Sequence, residues 1–183
     1  MPNINGTVWE GVGIKNGATI SVVEKGNEVV HQTILTLTAT PVTITDDAGV
    51  AQYGGTEKLY DFPDGAILIQ GAVINGNLTL GTTGTIINTY TGVNALGSAT
   101  ATTGATLTGT EADILASTAN TIATAKVAPI KSISLVSPLV YDGTTTALDL
   151  YLNFAIADDV THTSGTGTFT GTITVTWVNL GDK

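Results

Sequence analysis

Two histidines are the side chains best suited to acid–base chemistry in this chain. His31 lies in a strand-like run beside Gln32, and His162 lies between Thr161 and Thr163 in a polar stretch. Nucleophilic catalysis needs an activated hydroxyl or thiol, yet the chain has no cysteine and no Gly-x-Ser-x-Gly turn. Two isolated histidines also do not make a typical zinc site. We therefore predict no catalytic residue and expect that the protein is not an enzyme.

Aspartates are the other candidates for chemistry, because loop carboxylates can bind calcium. Asp46-Asp47 and Asp158-Asp159 are adjacent pairs, and Asp61 and Asp64 are close in sequence. None of these spacings matches an EF-hand loop. Asp also favours turns and hydrates strand ends, and we prefer this interpretation while leaving a calcium-binding loop open. The sequence predicts no metal site and no cofactor.

Charge is scarce and one-sided. Charged residues make up 11% of the chain, against roughly 25% in ordinary soluble domains. The net charge is −9, and all six cations are lysines. Nucleic-acid binding depends on clustered lysine and arginine, with arginine prominent in base recognition. We therefore expect no nucleic-acid partner.

Membrane and export signals are also missing from the pattern of residues. No apolar run approaches the roughly 20 residues that a membrane helix needs, so we expect no membrane partner. The first residues lack the basic start and apolar stretch of a signal peptide. We expect the protein to be made and assembled in a cytoplasm.

The elements that position these residues are predicted to be strands. Threonine, which is β-branched and suits a pleated strand, occurs 35 times. Apolar residues alternate with polar ones over residues 147–157 and 168–178, which predicts two core strands. Leu150, Leu152 and Phe154 share one face of the first of these strands, and Asn153 lies on the other. Residues 66–74 are apolar on both faces, which predicts a central strand covered on each side.

Turn signals and strand spacing favour a sandwich of about eight to ten strands. Asn75-Gly76, Asp142-Gly143 and Pro63-Asp64-Gly65 are among the predicted turns. One segment differs, since Thr110 to Asp113 resembles a capping box and apolar residues follow it at helical spacing. The sequence predicts an all-β antiparallel sandwich, residues 17–183, with one short helix near residues 111–119.

An N-terminal arm, residues 1–16, is predicted to precede this single domain. Glycines interrupt the apolar residues of the arm and weaken any strand there. Apolar residues on such an arm favour contact with a neighbouring subunit or another protein, although an edge strand of the sandwich is the alternative. The candidate contact residues are Ile4, Val8, Trp9, Val12 and Ile14, with Trp9 as the anchor.

Two stretches carry a resemblance to a known family. They are YDFPDGAILIQGA at residues 60–72 and ATLTGTEADILAST at residues 105–118. Together they resemble virion structural proteins of tailed bacteriophages, in particular capsid decoration (cement) proteins built on a jelly roll. The resemblance covers residues 29–178 and rests on turn and capping patterns. It implies a jelly-roll-like sandwich, a homotrimer, the phage major capsid protein as partner, and a place on the outer capsid surface of the virion.

The expected function is therefore a structural one. A positive mean hydropathy of +0.30 together with little charge favours burial of surface between chains. A decoration protein would bind the outside of a capsid and stabilise it by symmetric assembly. The alternative is a phage tail-fibre or other receptor- or glycan-binding β module, which an exposed aromatic cluster beside a polar groove would favour. A hydrolase would need clustered acids or a histidine–carboxylate pair in a cleft.

Overall fold

The chain forms strands throughout the part that the structure describes. The computed structural model describes residues 19–26, 29–47, 51–80, 90–102, 106–122, 127–132, 139–143, 148–157 and 164–181. The strands in these residues are β1 Thr19–Gly26, β2 Val30–Asp47, β3 Ala51–Gly55, β4 Tyr60–Asp61, β5 Ala66–Leu80, β6 Tyr90–Gly97, β7 Leu115–Ile122, β8 Val127–Ser132, β9 Leu139–Asp142, β10 Asp149–Ala157 and β11 Gly165–Gly181. One 3₁₀ turn, Thr110–Ala112, precedes β7.

All of the strand pairs are antiparallel and belong to one curled sheet, a half-barrel. The main path runs β7-β6-β10-β3-β2-β11-β5-β8, while β1 pairs with β2, β4 with β10 and β9 with β5. The prediction of an antiparallel all-β protein is confirmed. The hydrogen bonding follows one curled sheet, and the narrower jelly-roll prediction is not confirmed by it.

The alternation in β10 and β11 predicted the core correctly. Phe154, Ile173 and Val175 are buried, as are Leu150, Leu152, Phe169 and Trp177. The threonines between them in β11, such as Thr172 and Thr174, are partly exposed. The curled sheet therefore encloses one main apolar core. Buried side chains of β1, β2, β5, β6, β7, β10 and β11 contribute to it.

The three longest strands, β2, β11 and β5, have 18, 17 and 15 residues and lie side by side. On β2 the inward residues change phase between Leu37 and Thr40. The extra residue is Ala39, whose φ of 49° is left-handed and whose N–H donates to Thr170 Oγ1 at 3.0 Å. Such a bulge bends a strand and increases its twist. It lies in the gap between β1, which pairs with β2 up to Thr38, and β3, which pairs from Thr43.

Two glycines face each other beside this bend. Gly171 of β11 pairs with Gly76 of β5. A Cβ atom on Gly171 would lie 2.5 Å from the Gly76 Cα atom, and one on Gly76 would lie 2.6 Å from Cζ of Phe169. The two strands therefore approach more closely here than side chains would allow. The turn predicted at Asn75-Gly76 is wrong, because its glycine serves this close approach inside β5.

A second irregularity in β5 corrects the prediction that both faces of this strand are covered. The inward residues change phase at Gln70 and Gly71, where the pairing with β11 shifts. On the other face, Leu68 is half-buried and Val73 is exposed. The apolar composition of this strand reflects an exposed apolar face.

The helix predicted near residues 111–119 is also wrong beyond the 3₁₀ turn. Leu115 begins β7 and pairs with Leu96 of β6. The Glu111 carboxylate accepts hydrogen bonds from the N–H groups of Thr108 and Gly109, both at 3.1 Å, so it closes a loop and does not start a helix.

The segment before this turn covers the second face of β6 and β10. Here a small core forms from Ala95, Ala101, Leu107, Ala112 and Ala155.

Asn153 of β10, predicted to lie opposite the core face, is fully buried under this segment. Its Nδ2 group donates to the carbonyls of Ala99 and Glu111 at 2.8 and 2.9 Å, and its Oδ1 accepts from the Ala101 N–H at 2.9 Å. A buried amide satisfied in this way fixes the segment to the sheet.

The glycine pair gives a prediction for stability. Gly171→Ala should lower the free energy of unfolding by about 1–3 kcal/mol, because the added methyl group must push two backbones apart. Gly71→Ala is the matched control, since a Cβ there meets nothing within 4 Å, and its effect should stay within about 0.5 kcal/mol. Urea denaturation measures both. Equal losses for the two variants would show that the close approach is not maintained in solution.

Candidate functional site

The contact residues predicted in the N-terminal arm lie outside the described residues. Ile4, Val8, Trp9, Val12 and Ile14 therefore stay predictions, as do the arm's bounds. His162 and Asp158-Asp159 also lie outside. Within the described part of the chain, four features merit consideration: a buried polar network, a shallow pocket, an ion cluster and an exposed apolar strip.

The polar network lies at one end of the core and joins four strands. Trp177 Nε1 donates to Thr33 Oγ1 at 2.8 Å, and the Thr33 hydroxyl donates to Glu24 Oε1 at 2.6 Å. The Tyr60 hydroxyl donates to the same carboxylate oxygen at 2.7 Å. The register brings these residues together, because Glu24 is opposite Thr33 and His31 is opposite Trp177.

Aromatic rings pack around this network. The ring of His31 stacks on that of Trp177 with centroids 4.2 Å apart and planes inclined by 11°. Phe62 meets Trp177 edge-on at 5.5 Å, and Tyr60 meets Phe62 in the same manner at 4.9 Å. Trp177 is only 2% exposed, so these rings form part of the core and do not present a platform for a sugar.

The network contains residue types that occur in catalytic sites, but a substrate cannot reach them. Thr33 is fully buried, and its hydroxyl already donates to Glu24, so it is not presented to a substrate. Glu24 Oε2 is buried and lacks a hydrogen-bond partner within the described part of the chain. We interpret the group as a structural tie between β1, β2, β4 and β11. One feature of the sequence points to this tie. Glu24 follows the buried Val22 by two residues in β1, so its side chain lies on the core face of the strand.

A shallow pocket of about 270 Å³ lies beside the 3₁₀ turn. Apolar side chains line most of it, with Asp113 at its margin. Ser98 holds this carboxylate through its N–H at 2.8 Å and its hydroxyl at 2.7 Å. Burial raises the pKa of Asp113, and the hydrogen bonds from Ser98 act in the opposite direction. A single carboxylate with both oxygens occupied does not make an acid–base pair.

The Tyr141 hydroxyl is buried near Asp113 without reaching hydrogen-bond geometry. Burial, followed by the charge of Asp113, raises the pKa of Tyr141. This tyrosine packs against the main core from β9, while Asp113 follows the 3₁₀ turn. The Tyr141 hydroxyl is thus close to the carboxylate that follows the 3₁₀ turn, without forming a tie between the two elements.

The third feature is an ion cluster on the surface. Lys58 Nζ lies 3.1 Å from Asp61 Oδ2 and 3.1 Å from Asp149 Oδ1. The Tyr151 hydroxyl donates to the other oxygen of Asp149 at 3.1 Å. The ammonium group thus occupies the position between two carboxylates that a cation would need. Among the described residues, no group of three or more metal-binding side chains comes together.

The fourth feature is an apolar strip on the outer face of the sheet. The pairing register aligns Val140 of β9 with Leu68 of β5, Leu68 with Val178 of β11, and Val178 with Val30 of β2. Residues directly opposite in a sheet share a face, and the neighbouring Trp177 and Ile69 point into the core. These four side chains form a continuous row, hereafter the apolar row. Its two ends are well exposed, Val140 at 50% and Val30 at 40%, whereas Leu68 is half-buried and Val178 is buried between its neighbours.

Comparison of the chain with family models, with curated proteins and with solved structures finds no significant match. No helix in the described part of the chain has the length and apolar character to cross a membrane.

The polar network yields a prediction for Tyr60. Tyr60→Phe should lower the free energy of unfolding by about 1.5 kcal/mol at neutral pH, because it removes a hydrogen bond to a half-buried carboxylate. Tyr151→Phe is the control, since Asp149 keeps its contact with Lys58 and the site is more open. Its effect should be under about 0.5 kcal/mol. Chemical denaturation at pH 7 measures both, and equal effects would contradict the network's role.

The same variant changes the response to alkali. Burial and then the hydrogen bond to Glu24 raise the pKa of Tyr60 above its ordinary value of 10.0. A raised pKa in the folded state means that the stability from this group is complete below pH 10 and is lost as pH rises further. The wild-type protein should therefore lose stability above pH 10 more steeply than Tyr60→Phe.

Proposed function

We propose that this chain is a non-enzymatic structural protein of a virus particle, a decoration protein that binds the outer surface of a tailed-phage capsid as a homotrimer. The observation that carries the proposal is the apolar row, whose ends Val140 and Val30 are exposed in a protein with little charge and which suits the self-assembly that a homotrimer requires. Exposed apolar side chains grouped on one face of a sheet are typical of interaction sites. The resemblance of residues 60–72 and 105–118 to decoration proteins is the basis for proposing this class of protein. The jelly-roll relationship and the capsid protein as partner are proposed on the same basis.

The chemistry of the described residues favours a structural protein over an enzyme. The carboxylates of Glu24, Asp113 and Asp149 accept hydrogen bonds from side chains that hold the fold together. The inward position of Trp177 leaves the glycan-binding alternative without an exposed aromatic platform among the described residues.

The proposed mechanism is stabilisation by mass action. A protein that binds the assembled shell and not its separated subunits stabilises the shell by an amount set by concentration and affinity. A rigid sheet suits this role, because little conformational freedom is lost when it docks. The net charge of −9 favours a capsid surface that is locally basic.

The location of the chain on virus particles tests this function. Particles purified from the cells that produce the chain should contain it in a fixed ratio to the major capsid protein, and gold-labelled antibodies should mark the heads in electron micrographs. Label confined to the tails would support the receptor-binding module in place of the decoration protein. Particles that lack the chain altogether would overturn both.

The N-terminal arm provides a second test. If residues 1–16 dock on the capsid, deletion of residues 1–14 should leave a folded oligomer whose binding to purified heads is lost or reduced at least tenfold in a cosedimentation assay. Circular dichroism and light scattering establish the folded, oligomeric state of the variant. Unfolding or aggregation of the truncated protein would assign the arm to the sheet, and unchanged binding would remove the arm from the contact.

A further inference from the structure

Among the side chains that the structure describes, the face with the apolar row carries little charge. Its side chains are surrounded on the same face by neutral residues of the neighbouring rows, including Gln32, Ile34, Thr174 and Thr176. The outward side chains described on β1, β2, β11, β5 and β9 include one lysine, Lys25, and one aspartate, Asp142, which follows Val140 by two residues and flanks the end of the row. Leu180, 47% exposed, adds apolar surface at the same end of the sheet.

Apart from Asp142, the acidic side chains that the structure describes lie elsewhere. Glu24 points into the core network, and Glu57, Asp61 and Asp64 are in the connection before β5 or in β4. Two copies of a chain with a net charge of −9 repel each other wherever these acidic surfaces meet. The neutral face is therefore the surface through which a second copy can approach without like charges opposing it.

We infer that the apolar row is the contact between copies of this chain. The inference rests on the proposed function, which requires self-assembly, and it assigns that assembly to one surface. A basic partner such as a capsid patch would be attracted to the acidic surfaces, since a neutral face offers it no electrostatic complement. An equally acidic partner needs a neutral apolar face, and a second copy of the chain is such a partner. The exposed parts of Val140 and Val30 then become buried on assembly, which is favourable.

Added charge in the row tests the inference in the full-length protein. The double variant Val30→Glu/Val140→Glu should sediment as a monomer at micromolar concentration, because it brings acidic groups into the apolar contact. Thr43→Glu/Thr79→Glu is the matched control, as both threonines are exposed and lie on the far halves of β2 and β5. It adds the same charge and should sediment as the wild-type oligomer. An oligomeric row variant would overturn the inference while leaving the proposed function in place.

Cysteine labelling tests the same contact independently, in case the row variant does not fold. The chain has no cysteine, so a single introduced thiol is unique. Val140→Cys should react with a maleimide at least tenfold more slowly than Thr43→Cys in the oligomer, and at an equal rate in urea. Equal rates in the native protein would reject the contact.

The remaining outcomes separate the two proposals. A wild-type protein that sediments as a monomer would overturn self-assembly and, with it, the contact assigned to the apolar row. A wild-type oligomer that the row variant disrupts, combined with absence of the chain from virus particles, would support this interface and reject the decoration function.

Discussion

The pairing of β11 with β2 on one side and β5 on the other holds the rest of the structure in place. These strands are too long to remain flat around a compact core, and a flat sheet would expose its inner face. The bulge at Ala39 and the close approach of Gly76 to Gly171 allow them to bend. Every other described strand attaches, directly or through a neighbour, to this bent centre.

The bend also determines how the short strands are used. On one edge of β2, β1 pairs with the first half and β3 with the second, and Pro41 lies in the gap between them. Proline has no N–H to donate, so a strand tolerates it where its ladder is interrupted. Thr56 has a related role between β3 and β4, where its hydroxyl accepts from the Leu152 N–H at 3.2 Å in place of a backbone carbonyl. Side chains thus take part in holding the sheet together where the ladder of backbone hydrogen bonds is interrupted.

Much of this architecture could be predicted from alternation. The apolar residues of β10 and β11 alternate with a period of two, and burial follows that period in β11, whereas in β10 the opposite face is buried as well. The bulges could not be predicted from alternation. One extra residue reverses which side chains face the core, and it does so without changing the composition of the strand. Asn75-Gly76 shows the difficulty, since the dipeptide typical of a hairpin turn serves here as a contact between strands. The helix predicted near residue 111 failed because tertiary burial of Ile114 and Leu115 outweighs a local capping pattern. The polar network and the apolar row depend on register between distant strands, which one sequence does not reveal.

The position of β11 at the centre of the sheet has a consequence for synthesis on the ribosome. Residues 30–44 pair with residues 165–178, so the central ladder joins segments more than a hundred residues apart. Contacts of such long range make folding slow, because a large loop must close before they form. During translation, β1 and β3 can pair with one edge of β2, but the other edge of β2 and the facing edge of β5 stay unpaired until β11 has been made. Unpaired strand edges are prone to aggregation, so the incomplete chain is exposed to this risk for most of its synthesis.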